Sequence, residues 1–361
     1  MSAWKYKKVM PKVLVRKLRL IPAKDMVDLV GSSPDRICSE LAKTSYQKEI
    51  SEMSPQQLSS ISMEEALLKN FLRTLDEIAR SSPRDIRALL TRILMKFEAS
   101  TLKAILRTKS AGLELEQAMR YVMPAGRLDA ARCADIIRNS KNIGDVVKLV
   151  YDTEYGPVLK DALPEYDKTG ALFPLETAID RFVYGRVMRA AKKLRGLDKK
   201  IAATVLGLEI DTMNIRVLLR FREADISHDR ATRYFLPVSD VFGQEALSEA
   251  MQTKEVKSAI ERLLEAAEFN LARDYQLLLK ELMKEYEVHK SLSRLEVVLD
   301  RGLLETSLRM LKRYTSFFNI GFLLAFVNLK WFEMRNLRAI VRGADEKIPS
   351  DRTRELLILP S

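Results

Sequence analysis

Three carboxylates stand at corresponding places in this chain: Glu98, Asp211 and Glu333 precede Arg107, Arg220 and Arg342, each by nine positions. A carboxylate can serve as a general acid or base, yet a catalytic group is seldom needed three times over. The plainer chemistry is structural. Each acid is expected to accept hydrogen bonds from a recurring arginine or asparagine and so fix helix packing, because charged side chains are rarely buried without a partner. Other reactive equipment is sparse. His228 and His289 are the only histidines, and neither has a cysteine or second histidine at ligand spacing. Both are expected on exposed helix or loop surface. Cys38 and Cys133 are too few for a disulfide framework or a thiolate metal site. No Gly-x-x-x-x-Gly-Lys-Ser/Thr loop is present to cradle a nucleotide phosphate. The sequence therefore predicts no catalytic residue, cofactor or metal ligand.

The elements that must position these groups repeat along the chain. EASTLKAILR (98–107), DTMNIRVLLR (211–220) and EMRNLRAIVR (333–342) share the acid, the arginine and an aliphatic residue five places before it, namely Leu102, Ile215 and Leu337. Asn214 and Asn336 correspond, with Thr101 in the first copy. Pro124 and Pro237 follow their arginines by seventeen positions, and Pro360 follows its own by eighteen. Upstream, Leu175, Glu176, Ile179 and Asp180 match Leu295, Glu296, Leu299 and Asp300, with Met63, Glu64 and Leu67 as a weaker copy. A Thr-x-Tyr element occurs as Thr44, Tyr46, Ile50 and as Thr153, Tyr155, Leu159; in the third copy Tyr275 and Leu279 are its only candidate remnant. Three repeats follow, with boundaries expected at 1–110, 111–225 and 226–361.

Periodicity assigns the secondary structure. Leu329, Phe332, Leu337, Ile340 and Val341 recur at helical spacing and form one core-facing stripe. Leu263, Leu264, Leu271, Leu278 and Leu279 predict another long helical reach, and the prolines mark turns. The 13 glycines and 12 prolines fall well under the usual combined share of about 12%. No alternating run is long enough for a sheet. The expected fold is all-α: three pseudo-symmetric helical bundles around a pseudo-threefold axis.

Charge bounds the partners. The formal net charge is +12, which attracts anionic surfaces without choosing among them. Lys5, Lys7, Lys8, Lys12, Arg16, Lys17 and Arg19 lie in the first twenty residues with no acid; a second basic stretch runs from Arg181 to Lys200. A nucleic-acid-binding helical repeat is the main rival reading, but 49 acids are interspersed and no nucleic-acid module is recognisable. An enzyme is disfavoured by the missing constellation. Phe317 to Leu329 is the longest apolar stretch, interrupted by Asn319 and Asn328; a spanning helix needs about 20 apolar residues, so a buried helix is expected. With no apolar signal-peptide core near the N-terminus, the chain reads as cytosolic and reduced.

The closing segment GFLLAFVNLKWFEMRNLRAIVRG (321–343) resembles the signature of the family that contains the C subunit of the archaeal A-type ATP synthase and the d subunit of V-type ATPases. LEIDTMNIRVLLRFR, PLETAID and the Thr-x-Tyr element are similar to other parts of that family. The resemblance implies a funnel-shaped, non-catalytic rotor adaptor without nucleotide or other cofactor. It implies a place between the central shaft, made of the D and F subunits, and the membrane proteolipid ring, peripheral on the cytoplasmic face, passing torque between ATP chemistry and ion transport. Part of the basic surface would then face acidic groups on the ring, the shaft or anionic lipid, and no nucleic acid is an expected partner.

Overall fold

The computed structural model describes residues 3–53, 59–224, 227–237, 241–270, 272–313 and 319–360. Among them every extended regular element is a helix, with a single isolated bridge between Ala125 and Leu128. The fold is all-α.

Three long hairpins dominate. The first pairs Ser60–Ser81 with Arg84–Ser110, the second Phe173–Lys192 with Gly196–Glu223, and the third Leu292–Arg313 with Ile320–Asp345. Local chemistry sets their starts. Ser59 and Ser62 form a reciprocal capping box ahead of the first, which satisfies amide groups that the helix itself leaves orphaned. The Asn319 side chain does the same for the last helix, accepting from the amides of Gly321 at 2.9 Å and Phe322 at 3.3 Å. Helix Ile320–Asp345 contains the apolar stretch read from sequence from Ile320 onward, and it is buried along most of its first turns; Phe317 and Phe318 lie outside the described residues. Leu263 and Leu264 belong to Val256–Phe269 and Leu278 and Leu279 to Arg273–His289, so the expected continuous reach is interrupted. Helix Val256–Phe269 ends where Asn270 folds its side-chain amide back on the Ala266 carbonyl at 2.9 Å, a local bond that competes with helix continuation. Leu271 itself lies outside the described residues.

The hairpins stand side by side and close on themselves. Helix 84–110 packs on helix 173–192, helix 196–223 meets helix 292–313, and helix 320–345 returns to helix 60–81. Apolar packing secures the closure. Phe71 and Phe97 of the first hairpin pack against Trp331 of the third, with ring centroids 5.6 and 4.9 Å away; each such contact adds about 0.5–1.5 kcal/mol beyond area burial.

Shorter helices follow each hairpin. Ala130–Asn139, Ile143–Leu149 and Gly156–Thr169 follow the first, and Gln244–Gln252, Val256–Phe269 and Arg273–His289 follow the second. Among the described residues the third hairpin has only Ser350–Glu355 after it, and the N-terminal helices Met10–Leu18 and Pro34–Leu41 pack against its helix 320–345.

Candidate functional site

The residues singled out by the repeat sort into two sets facing opposite ways. Nine positions at 3.6 residues per turn make two and a half turns, so each motif arginine leaves its helix on the face opposite the motif acid. For that reason the acid–arginine bond expected from sequence does not form. The arginine instead crosses to the leading glutamate of the next hairpin. Arg107 binds Glu176 at 2.5 and 3.0 Å, Arg220 binds Glu296 at 2.5 and 2.8 Å, and Arg342 binds Glu64 at 2.6 Å. The cation four positions earlier repeats the crossing. Lys103 binds Asp180 at 2.7 Å, Arg216 binds Asp300, and Arg338 joins Arg342 on Glu64 at 2.6 Å. The first copy thus holds the second, the second the third, and the third the first.

The motif acids face inward to the shorter helices. Glu98 accepts from the amide of Arg127 at 2.8 Å, Asp211 from that of Val241 at 3.0 Å, and Glu333 from that of Ile21 at 2.6 Å. A buried tyrosine attends each. Tyr275 donates to Asp211 and Tyr46 to Glu333, both at 2.8 Å, while Tyr155 donates to the Met95 carbonyl at 3.2 Å beside Glu98. The Thr-x-Tyr elements are therefore displaced by one copy. Tyr46, near the start of the chain, serves the third acid, and Tyr275 serves the second. Around Glu98 the fit also requires a glycine. Gly126 has φ +62°, and a Cβ there would overlap the Glu98 carboxylate.

Asn214 and Asn336, the two recurring amides, do not bind the acids either. Each clasps the extended chain before its proline, donating to and accepting from one residue. Asn214 pairs with Leu236 at 3.3 and 2.7 Å, and Asn336 with Ile358 at 2.8 Å in both directions. Thr101 reaches the equivalent Met123 carbonyl through its hydroxyl. Leu102, Ile215 and Leu337 are fully buried between the two sets.

Burial and charge compete at these positions. Burial raises the Glu98 carboxyl above its ordinary range, partly offset by the Arg127 amide. Burial likewise lowers the Lys330 ammonium despite its 2.5 Å contact with Glu333, and Lys330 also stacks 3.9 Å from the Tyr46 ring centroid. The Asp180 carboxyl is raised by burial, against the pull of Lys103. Cys133 is pushed up to about 12 by burial, so its thiol is protonated and unreactive at neutral pH. His228 meets Ser248 at 2.6 Å and is half-buried rather than fully exposed; His289 is exposed beside Glu285.

Between the hairpins lies a cavity of about 250 Å³. Charged side chains from all three line it, including Lys96, Lys103, Asp180, Glu209, Arg216 and Arg335. They are paired with each other: Lys96 meets Glu209 at 2.5 Å, and Asp300 receives both Arg216 and Arg335. The described residues contain no group of three or more metal-capable side chains. None of these contacts pairs a nucleophile with a base. The arrangement can hold three hairpins in one register.

A relationship to known proteins accounts for a chain built in this way. The family described as ATP synthase (C/AC39) subunit matches residues 9–356. The chain belongs to this family. Over 354 residues it is 25% identical to the C subunit of the A-type ATP synthase of Methanocaldococcus jannaschii, covering 98% of this chain and 86% of that protein. The corresponding C subunit of Methanothermobacter thermautotrophicus is 26% identical over 82% of this chain and 74% of its own length. That of Haloferax volcanii is 26% identical over 97% of both. In this member of the C/AC39 family, no helix among the described residues is long and apolar enough to cross a membrane.

Sequence reasoning missed several residues of the C/AC39 site. Lys103, Arg216 and Arg338 were legible as a basic position four before the motif arginine. Lys330 and Gly126 carry no repeat signal, since neither has a counterpart of its own type in the other copies.

Proposed function

We propose that this protein is the rotor adaptor of an A-type ATP synthase. It joins the central shaft, formed by the D and F subunits, to the membrane proteolipid ring on the cytoplasmic face, and carries torque between ATP synthesis or hydrolysis and ion transport. It has no active site of its own. In this reading the three repeats are the lobes of a funnel, and the two poles of the hairpin ring meet the two partners.

The observation that carries the reading is the cyclic interlock, in which each hairpin grips the next and the last grips the first. Twisting one hairpin about the axis must strain all three seams together. The apolar packing behind them has the low compressibility of protein interiors, so the ring resists torsion. The ion pairs themselves, being partly exposed, contribute only about 0–1 kcal/mol each; they set register more than they add stability.

The test is capture of the tagged chain from detergent-solubilised membranes of its host, at moderate and at high salt. Recovery of the shaft components together with the proteolipid ring is expected. Recovery of neither, with salt-sensitive nucleic acid in their place, overturns the reading.

A further inference from the structure

The two basic stretches that stand far apart in sequence meet at one pole. Helix start 84–92 lies against helix end 186–193, and their side chains Arg84, Arg92, Arg186, Arg189 and Lys193 line a common groove. The N-terminal segment reaches the same place, because Lys5 binds Asp85 at 3.1 Å and Asp198 at 2.7 Å. The third hairpin joins them there through the Ile320 amide, which donates to Asp198 at 3.2 Å. All three hairpin tips therefore share this end of the ring.

Its charge is only partly neutralised by described residues, Arg186 and Arg92 sharing Glu154. Asp85 and Asp198, the acids at these tips, are already taken by Lys5. Arg189, Lys192, Lys193, Arg195, Lys199 and Lys200 are all exposed, and none makes an ion pair with a described residue. Elsewhere many surface cations do have acids, as in Lys43–Glu40, Lys69–Glu52 and Lys257–Glu287. Beside the unpaired cluster stands Trp4, 76% exposed, with Lys7 stacked 4.8 Å from its ring. Leu197, in the first turn of its helix, is also exposed.

We propose that this pole docks on the headgroups of anionic phospholipid. The inference rests on the adaptor reading in one respect, that the protein works against a membrane, and it chooses which end faces that membrane. Clustered lysines and arginines spread over several element ends match a diffuse sheet of negative charge, each worth a several-fold gain in affinity near such a surface. An exposed indole flanked by lysines suits the headgroup layer, where amphipathic aromatic rings sit. Nucleic acid needs the same charge and can stack a base on the indole, but it gains nothing from an exposed leucine such as Leu197.

The experiment is co-sedimentation of the full chain with phosphatidylcholine vesicles, with and without phosphatidylglycerol. Binding is expected only when phosphatidylglycerol is present. R189Q/K192Q/K193Q/K199Q/K200Q should weaken it by about a hundredfold or more, and W4A by a few-fold, with unchanged helical circular dichroism. R138Q/K141Q/K168Q/K254Q/K284Q, which removes as many exposed cations elsewhere, should bind nearly as the unaltered chain. Equal loss in both sets, absence of binding to phosphatidylglycerol, or tighter binding to duplex DNA than to the vesicles overturns the proposal. Vesicle binding without recovery of shaft and ring would count against the adaptor reading alone; recovery of both without vesicle binding would count against lipid docking alone.

Discussion

Glu98 and Glu333 occupy the same place in two copies of one motif, yet they are held by different means. Glu98 is closed locally: its amide partner is Arg127 and its tyrosine is Tyr155, and the turn that delivers the amide contains Gly126. Glu333 is closed from the other end of the chain, by Ile21 and Tyr46, 312 and 287 positions away. It also shares a buried ion pair with Lys330, both side chains being 3% exposed. Equal motifs need not have equal energetics. The third copy encloses two charges with partners supplied by a distant segment, whereas the first leaves its acid half-buried with neighbours close in sequence.

Glu333→Gln should break the comparison most sharply. The amide side chain can still accept from Ile21, but Lys330 is left buried without an opposing charge, a loss of about 3–5 kcal/mol. Glu98→Gln should cost about 1 kcal/mol, the scale of one altered hydrogen bond. Urea unfolding of the two variants measures the difference, and equal losses would show that the buried pair contributes no more than the local one.

The amide clasp offers a second contrast. Asn336→Ala removes both bonds to Ile358 and leaves its amide buried without a partner, at about 2 kcal/mol. Thr101→Val, which removes a hydroxyl donating to Met123, should cost about 1 kcal/mol. Thermal unfolding of each variant distinguishes the two; a larger loss at Thr101 would mean that the first copy depends on its clasp more than the third.

The smallest effect expected is a pH dependence in the N-terminal segment that closes the third copy. Burial opposes the charged form of Glu49, but hydrogen bonds from Arg73 at 2.5 Å and Asn70 at 2.8 Å outweigh it and hold the carboxyl below the usual glutamate range. A lowered folded value means stability that is present above the unfolded pKa and lost as pH falls through the folded one. Glu49→Gln should flatten that acid limb in unfolding measured as a function of pH. An unchanged limb would remove Glu49 from the closure.

Much of this was legible in the residues. The helical class, the phase of the repeat and the burial of Leu102, Ile215 and Leu337 follow from spacing, because a helix face is defined by its own periodicity. The special status of Glu98, Asp211 and Glu333 was legible too, but their partners were not. A motif on one helix records which side chains leave together, not what waits on either side. The nine-residue offset did contain the information that acid and arginine diverge, once counted in turns.

By itself the sequence determined the helices and the threefold recurrence of their motif, since each copy of the motif is written in residues within a few turns of one another. Only the tertiary structure decided that the copies interlock in a circle, with Arg342 returning to Glu64 and Tyr46 completing the pocket of Glu333. Repeated motifs are compatible with closure inside each copy, with an open stack, or with a ring. The choice rests on packing among apolar faces such as Phe71, Phe97 and Trp331, which no local spacing encodes.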